Sequence, residues 1–227
     1  MPEQSSSSKP SQRPTIPLFP LPLVVCPEEQ LPLHIFEDRY KDMIAFCRKG
    51  DEQGMSLAFG VSLATNNKLY NIGCTVRIEE VATEYDDGRL DVITTGETRY
   101  KVHEVFSDKS YKEAAVEFFD DDDPAPPEFG LRQKAITLHL KLVELVKGKT
   151  DIENYEPDER ASFRIAHSSG LDVLQKQKLL EMTSETKRLE LLLEHFEKVI
   201  PDIERTEEIK RRVLSNGHFK NLRSTDF

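Results

Sequence analysis

Val81-Ala82-Thr83-Glu84, then Asp87-Gly88, then Leu90-Asp91-Val92-Ile93 are the residues whose reading decides the fold. Two strand-like runs flank an Asp-Gly pair, the dipeptide that suits a tight type I′ hairpin turn with φ > 0 at both central positions. Period-two patterning continues outward from this hairpin. Met55 to Val61, Thr75 to Ala82, Leu90 to Thr95, Tyr100 to Phe106 and Ala114 to Phe119 all read as strands, with Gly73 and Gly96 punctuating the runs. Five or six strands with one early helix predict a small, strongly bent sheet or pseudo-barrel.

Upstream, apolar residues alternate with proline in Ile16-Pro17-Leu18-Phe19-Pro20-Leu21-Pro22-Leu23-Val24-Val25. Proline fixes φ and lacks an N–H, so this segment is extended and predicts an edge strand or an anchored arm. Leu31-Pro32-Leu33-His34-Ile35 leads into a helix predicted over Phe36 to Lys49. Its apolar residues Phe36, Tyr40, Met43, Ile44 and Cys47 fall on one face of a 3.6-residue period, and Gly50 suits the C-terminal cap. Residues 1–14 are rich in Ser, Pro and Gln and read as a disordered tail before a β region over 15–119.

Downstream, Asp120-Asp121-Asp122-Asp123-Pro124-Ala125-Pro126-Pro127 reads as a boundary linker over 120–128, because adjacent carboxylates repel and prolines stop regular structure. It lacks the alternating ligands of a calcium loop. A helical bundle is predicted over 129–217, with a tail over 218–227. Its helices are Leu131 to Lys147, Pro157 to Ser169, one opened by the capping box Asp172-Val173-Leu174-Gln175, and a long run after Ser184. That run carries the stripe Leu189, Leu192, Leu193, Phe196, Val199 and Ile200, and Pro201 is expected to kink or restart it. The fold class is therefore α+β, strands first and helices second.

The 227 residues include 31 Lys plus Arg against 41 Asp plus Glu, a formal net charge of −10. This balance argues against general nucleic-acid binding, which draws its affinity from cations on phosphates. The basic residues Arg205, Lys210, Arg211, Arg212, Lys220 and Arg223 are interleaved with Glu204, Glu207 and Glu208, as on a solvated helix end. No run approaches the ~20 apolar residues of a membrane span. The N-terminus lacks the pattern of a signal peptide, so the expected location is the cytoplasm. Cys26, Cys47 and Cys74 fit neither a disulfide scaffold nor a metal knuckle and are expected to pack as small hydrophobes.

Catalytic motifs are missing. Gly148-Lys149-Thr150 resembles the end of a P-loop, but Val143 stands where the first glycine is needed. There is no GxGxxG and no GxSxG. His34, His103, His139, His167, His195 and His218 show no metal-ligand spacing. No cofactor, metal site or catalytic residue is expected.

Ile16-Pro17-Leu18-Phe19-Pro20-Leu21, Val25-Cys26-Pro27 and Leu31-Pro32-Leu33-His34-Ile35-Phe36-Glu37-Asp38-Arg39-Tyr40 with Met43 together resemble the N-terminal, substrate-binding domain of the Lon proteases, peptidase family S16. Ile72-Gly73, Gly88-Arg89, Gly96-Glu97-Thr98-Arg99-Tyr100, Gln177-Lys178-Leu179-Leu180-Glu181 and Arg188-Leu189 extend the resemblance over about residues 16–200. In one departure, Cys26-Pro27-Glu28 stands where the family usually has Phe-Pro-Gly. The resemblance implies a six-stranded, PUA-like β pseudo-barrel followed by a helical bundle. It also implies a free-standing relative of that domain without its own ATPase or peptidase.

The function expected from the resemblance is a non-catalytic protein-binding module. It would bind unfolded polypeptide or a dedicated protein partner in a groove between barrel and bundle. Phe19, Leu21, Leu23, Val24 and His34 are its candidate contacts, the first four as exposed apolar surface. Pro17, Pro20, Glu37, Arg39, Tyr40, Gly73, Arg89, Gly96 and Arg99 are motif residues expected to be structural. Phe36, Tyr40 and Met43 are expected to pack, and Glu37 to pair with Arg89 or Arg99 and tie the early helix to the sheet. RNA binding is the alternative by analogy with other PUA-like barrels, but the strand region lacks clustered Lys and Arg with stacking aromatics. A small-molecule enzyme is a further alternative that no constellation of residues supports.

Overall fold

Among the described residues, alternating apolar and polar residues build six strands with one early helix, and the remaining apolar stripes build four helices. The computed structural model describes residues 13–50, 55–65, 68–123, 125–147, 155 and 160–218. The N-terminal tail over 1–12, Pro124, Gly148-Lys149-Thr150, Pro157 and the C-terminal tail from 219 onward lie outside the described residues. The chain divides into two compact units between Asp120 and Asp121.

The first unit contains β1 (Thr15–Leu21), β2 (Gln30–Ile35), α1 (Asp38–Arg48), β3 (Phe59–Thr65), β4 (Lys68–Glu84), β5 (Leu90–Phe106) and β6 (Lys112–Phe118). The sheet order is β2-β5-β4-β3-β1-β6, and an additional β5–β6 pairing closes the last five strands into a ring. The first half of β5 pairs with β2 and its second half with β6. Leu18, Tyr100, Ala114 and Val116 fill the interior. The Tyr100 ring lies against Gly60 and Gly73, where a Cβ would come within 2.5 Å of its hydroxyl, and that hydroxyl bonds Ser62 Oγ at 2.8 Å. Burial pushes the Tyr100 pKa up.

Several expected boundaries move. Leu90 to Thr95 and Tyr100 to Phe106 are one strand, and Gly73 and Gly96 lie within strands rather than between them. Register shifts at Cys74/Val76, Ile78/Glu80 and Val81/Thr83 let these long strands bend without breaking. The hairpin at Asp87-Gly88 is not type I′. Gly88 takes φ 78° while Asp87 does not have a positive φ. Gly88 N bonds Tyr85 O at 2.8 Å, and Tyr85 N bonds Arg89 O at 2.9 Å. The loop is thus one residue longer than the expected turn, with glycine alone in the left-handed position. The Asp87 carboxylate accepts from the Arg89 backbone N–H and Nε, which holds its pKa below the ordinary value.

The proline-rich segment forms an interior strand over Thr15–Leu21, not the expected edge strand or anchored arm. β1 runs antiparallel to β6 over Thr15–Leu18 and parallel to β3 over Leu18–Leu21. The two pairings are staggered, so most of β1 is bonded on one side at a time, and Pro17 and Pro20 fit within an interior strand.

The turn after β1 keeps its geometry without the family's glycine. Glu28 sits at φ 64°, Glu29 N bonds Cys26 O at 3.2 Å, and the Glu29 carboxylate accepts from Cys26 N at 2.8 Å. Left-handed backbone costs a side-chain-bearing residue roughly 1–2 kcal/mol, while glycine loses about 0.5–1 kcal/mol more on ordering. Glu28→Gly is therefore expected to stabilise by about 0.5–1 kcal/mol. A rise of a few degrees in a thermal melt checks it; a fall would mean that Glu28 contributes contacts worth more than its strain.

α1 begins at Asp38, with Glu37 extended in front of it, and buries Tyr40, Met43, Ile44 and Cys47. Phe36 therefore precedes the helix and is 59% exposed, which corrects its expected place on the buried stripe. All three cysteines are buried. Burial pushes Cys47 up to about 12 and raises Cys74 as well, so neither carries a thiolate at neutral pH.

The second unit contains α2 (Phe129–Lys147), α3 (Ala161–Ala166), α4 (Val173–Glu181) and α5 (Glu185–His218). Asp172 and Gln175 form the reciprocal capping box of α4. α5 runs on through Pro201. Its buried Leu189, Leu192, Phe196 and Ile200 supply the core with Ala135 and Leu142 of α2 and Phe163 and Ile165 of α3. At the centre lies a buried charge cluster. Arg188 donates to both Asp121 oxygens at 2.7 and 2.6 Å, to Glu185 at 2.7 Å and to Ser162 Oγ at 2.8 Å. Burial opposes this charge, but hydrogen bonds to Asp121 and the charge of Glu185 leave the Arg188 pKa raised. The acidic run is thus partly structural: Asp121 is held by Arg188, and Asp122 N bonds Thr183 O at 3.0 Å. No helix among the described residues is long and apolar enough to cross a membrane.

Candidate functional site

The strand period sends Leu31, Leu33 and Ile35 of β2 inward and leaves Gln30, Pro32 and His34 on the outer face. Antiparallel register sets Pro32 opposite Ile93 and His34 opposite Asp91. His34 Nδ1 lies 2.6 Å from Asp91 Oδ1, and Tyr85 donates its hydroxyl to Asp91 Oδ2 at 2.7 Å. Bonds from His34 and then Tyr85 hold the Asp91 pKa below the ordinary carboxylate value, and the bond to Asp91 raises that of Tyr85. Phe36 stacks on His34 with centroids 6.0 Å apart, and Tyr85 meets the same imidazole edge-on at 6.0 Å. The Arg89 guanidinium lies 4.9 Å from the Tyr85 ring centroid.

Three aromatic rings therefore share one outer face: the Asp91 carboxylate orients His34 and Tyr85, and Phe36 stacks on His34. Phe36 is 59% exposed and Tyr85 36%. Exposed apolar area with fixed polar partners is what a surface needs to bind a chain without rearranging itself. Among the described residues no cluster of His, Cys, Asp or Glu could hold a metal ion.

The other candidate contacts are placed differently. Phe19 and Val24 are buried, which corrects their expected exposure, and Leu21 and Leu23 are half-buried. The cause is the interior position of β1: Phe19 packs 4.0 Å from the Tyr40 ring and 6.2 Å from that of Phe59. The proposed tether also fails. Glu37 pairs with Arg39 at 2.6 Å, Arg89 with Asp87 at 2.7 Å, and Arg99 with Asp120 at 3.6 Å while lying 4.7 Å from the Phe119 ring. Arg39 also lies over Tyr40 at 4.6 Å. Sequence reading missed Tyr85 and Asp91. The hairpin sets Tyr85 near Asp91, but only the non-local pairing of β2 with β5 brings both to His34.

Residues 15–198 match the family of the ATP-dependent protease La (LON) substrate-binding domain. The chain belongs to this family. A Lon N-terminal domain protein from Xanthomonas campestris has a similar structure, with TM-score 0.62 and 27% identity, covering 79% of this chain and 97% of the other. The N-terminal domain of the Mycobacterium avium complex Lon protease shares the fold at TM-score 0.60 and 17% identity, covering 82% of this chain and 100% of that domain. The β-then-α order of the present chain is thus the fold of Lon substrate-binding domains.

Proposed function

We propose that this Lon-family domain is a non-catalytic recognition module that binds extended, unfolded polypeptide on the outer face of β2 and β5. The observation that carries the reading is the exposed set Phe36, His34 and Tyr85, of which His34 and Tyr85 are held by Asp91 and Phe36 stacks on His34. The preferred client carries apolar side chains for Phe36 and Tyr85. It also carries cations, which the net charge of −10 attracts. Family membership supports substrate recognition as the general task.

The test is a titration of the full chain against a fluorescently labelled, permanently unfolded protein at low and moderate salt. Saturable binding that persists at moderate salt is expected, because salt does not screen apolar burial. Phe36→Ser with Tyr85→Ser is expected to weaken it about tenfold or more, as loss of aromatic anchors does, with little change in melting temperature. Unchanged affinity in this variant would reject the face. Hydrolysis of ATP or peptide, abolished by a point substitution in this chain, would reject the non-catalytic reading.

A further inference from the structure

β2 stands at one end of the sheet order and, among the described residues, pairs with β5 alone. Its second long edge is not part of the ladder. Which groups lie along that edge follows from the paired one. Gly96 donates its N–H to Glu29 O at 2.9 Å, and Thr94 Oγ1 donates to Leu31 O at 2.8 Å. The carbonyls of Glu29 and Leu31 thus face β5. Main-chain groups alternate sides along a strand, so those of Leu33 and Ile35 face β5 as well. Gln30, Pro32 and His34 turn theirs away from it. Pro32 agrees with this parity: it has no N–H, and it sits opposite Ile93, where the ladder then needs none.

The open edge therefore carries the N–H groups of Gln30 and His34 and the C=O groups of Gln30, Pro32 and His34. Their side chains are exposed on the outer face, where Phe36 stacks on His34 and Tyr85 meets it edge-on. Residues directly opposite each other in a sheet share a face. A strand added at this edge sets its own alternate side chains beside His34 and its aromatic neighbours. Edge and aromatic face are continuous.

We propose that the client of this face is held as an added strand, its main chain pairing antiparallel with the open edge of β2. The proposal rests on the recognition face described above and adds how the main chain is gripped. Antiparallel pairing is slightly more stable per residue than parallel. It also makes the same client residues do both tasks: those that bond Gln30 and His34 lay their side chains on the outer face. Pro32 decides against a second copy as the occupant. Two β2 strands paired antiparallel about their centres set Pro32 against Pro32, and that pair makes no hydrogen bond. A client with an ordinary residue there still donates its N–H to Pro32 C=O. The net charge of −10 also repels a second copy and attracts a cationic client. Main-chain bonding suits unfolded clients, because N–H and C=O are common to every sequence.

The test titrates the full chain with a fluorescently labelled peptide of alternating leucine and lysine, about ten residues long, roughly 33 Å when extended. Two derivatives keep every side chain. One is N-methylated at the leucines, the other at the lysines. In an antiparallel added strand with leucines on the outer face, the leucine N–H groups point at β2 and the lysine N–H groups point away. Leucine methylation is expected to weaken binding about tenfold or more, and lysine methylation to leave it unchanged. From the protein side, amide hydrogen exchange at His34 is expected to slow when the parent peptide saturates the chain. Loss on lysine methylation alone overturns the antiparallel arrangement, since those amides face β2 only in a parallel strand. Equal effects of the two methylations, or unchanged exchange at His34, overturn strand addition. If Phe36→Ser with Tyr85→Ser still weakens the parent peptide in that case, the recognition face stands and the client is held by side chains alone. A parent peptide whose affinity ignores both that variant and the methylations overturns the two readings together.

Discussion

Replacing Arg188 by methionine is expected to destabilise the helical unit by about 3–5 kcal/mol, because it removes from two buried acids the cation that bonds them most closely. Arg188 is fully buried and takes up both oxygens of Asp121 and one of Glu185. Asp121 and Glu185 are nearly inaccessible themselves, so water cannot replace the guanidinium. Ser162 loses a donor at the same time but keeps its own bond to Glu185 at 2.5 Å. A melt should show the helical unit losing about 10 °C or more. The companion variant makes the cause visible. Arg188→Met with Asp121→Leu and Glu185→Leu should recover much of the loss, since an apolar replacement of a whole buried cluster is often neutral. If the triple variant is as unstable as the single one, the arginine stabilises chiefly by packing its guanidinium against Phe163, at 4.3 Å, and not by its charge.

Gly96→Ala is expected to destabilise the barrel unit. A Cβ at this position would sit 2.1 Å from the Cys26 carbonyl oxygen and 3.0 Å from its carbon, and both are backbone atoms that no rotamer change can move. The approach is fixed from two sides: Glu28 N bonds Gly96 O at 2.8 Å, and Gly96 N bonds Glu29 O at 2.9 Å. Admitting one methyl group must open this pairing, and overpacking of this kind costs about 1–3 kcal/mol or more. Chemical denaturation should show a lower midpoint with an unchanged slope. Gly88→Ala, strained only by its positive φ and meeting no atom closer than 4.0 Å, provides the milder comparison.

Much of the architecture was legible because period and punctuation agree. The strand runs, the stripe of α1 from Tyr40 to Cys47 and the Asp172–Gln175 capping box all follow from local rules. What local rules missed is non-local. Prolines in β1 argued for an edge, yet its partners β3 and β6 come from later in the chain and enclose it. Gly96 looked like a strand end because a missing side chain reads as punctuation, when it marks the approach of Cys26. Four consecutive aspartates read as a solvated linker because the counter-charge, Arg188, lies 67 residues beyond Asp121. At the proposed recognition face, His34 was legible as an exposed member of β2, but Tyr85 and Asp91 join it only through the hairpin and the β2–β5 register.

The double pairing of β1 also governs how the protein is made. Thr15 pairs with Ala115, so the strand emerging first from the ribosome waits for the strand completed last in the barrel. At roughly 5–20 residues per second, synthesis of the intervening segment takes about 5–20 s. Leu18, Phe19 and Leu21 have no permanent strand neighbours until β3 is made, and Thr15 to Pro17 wait longer, for β6, while a newborn chain of this family is itself an unfolded polypeptide with exposed apolar residues. The prolines at 17, 20 and 22 then act during biogenesis: they deny this waiting segment the uninterrupted row of N–H donors on which strands of different nascent chains would pair.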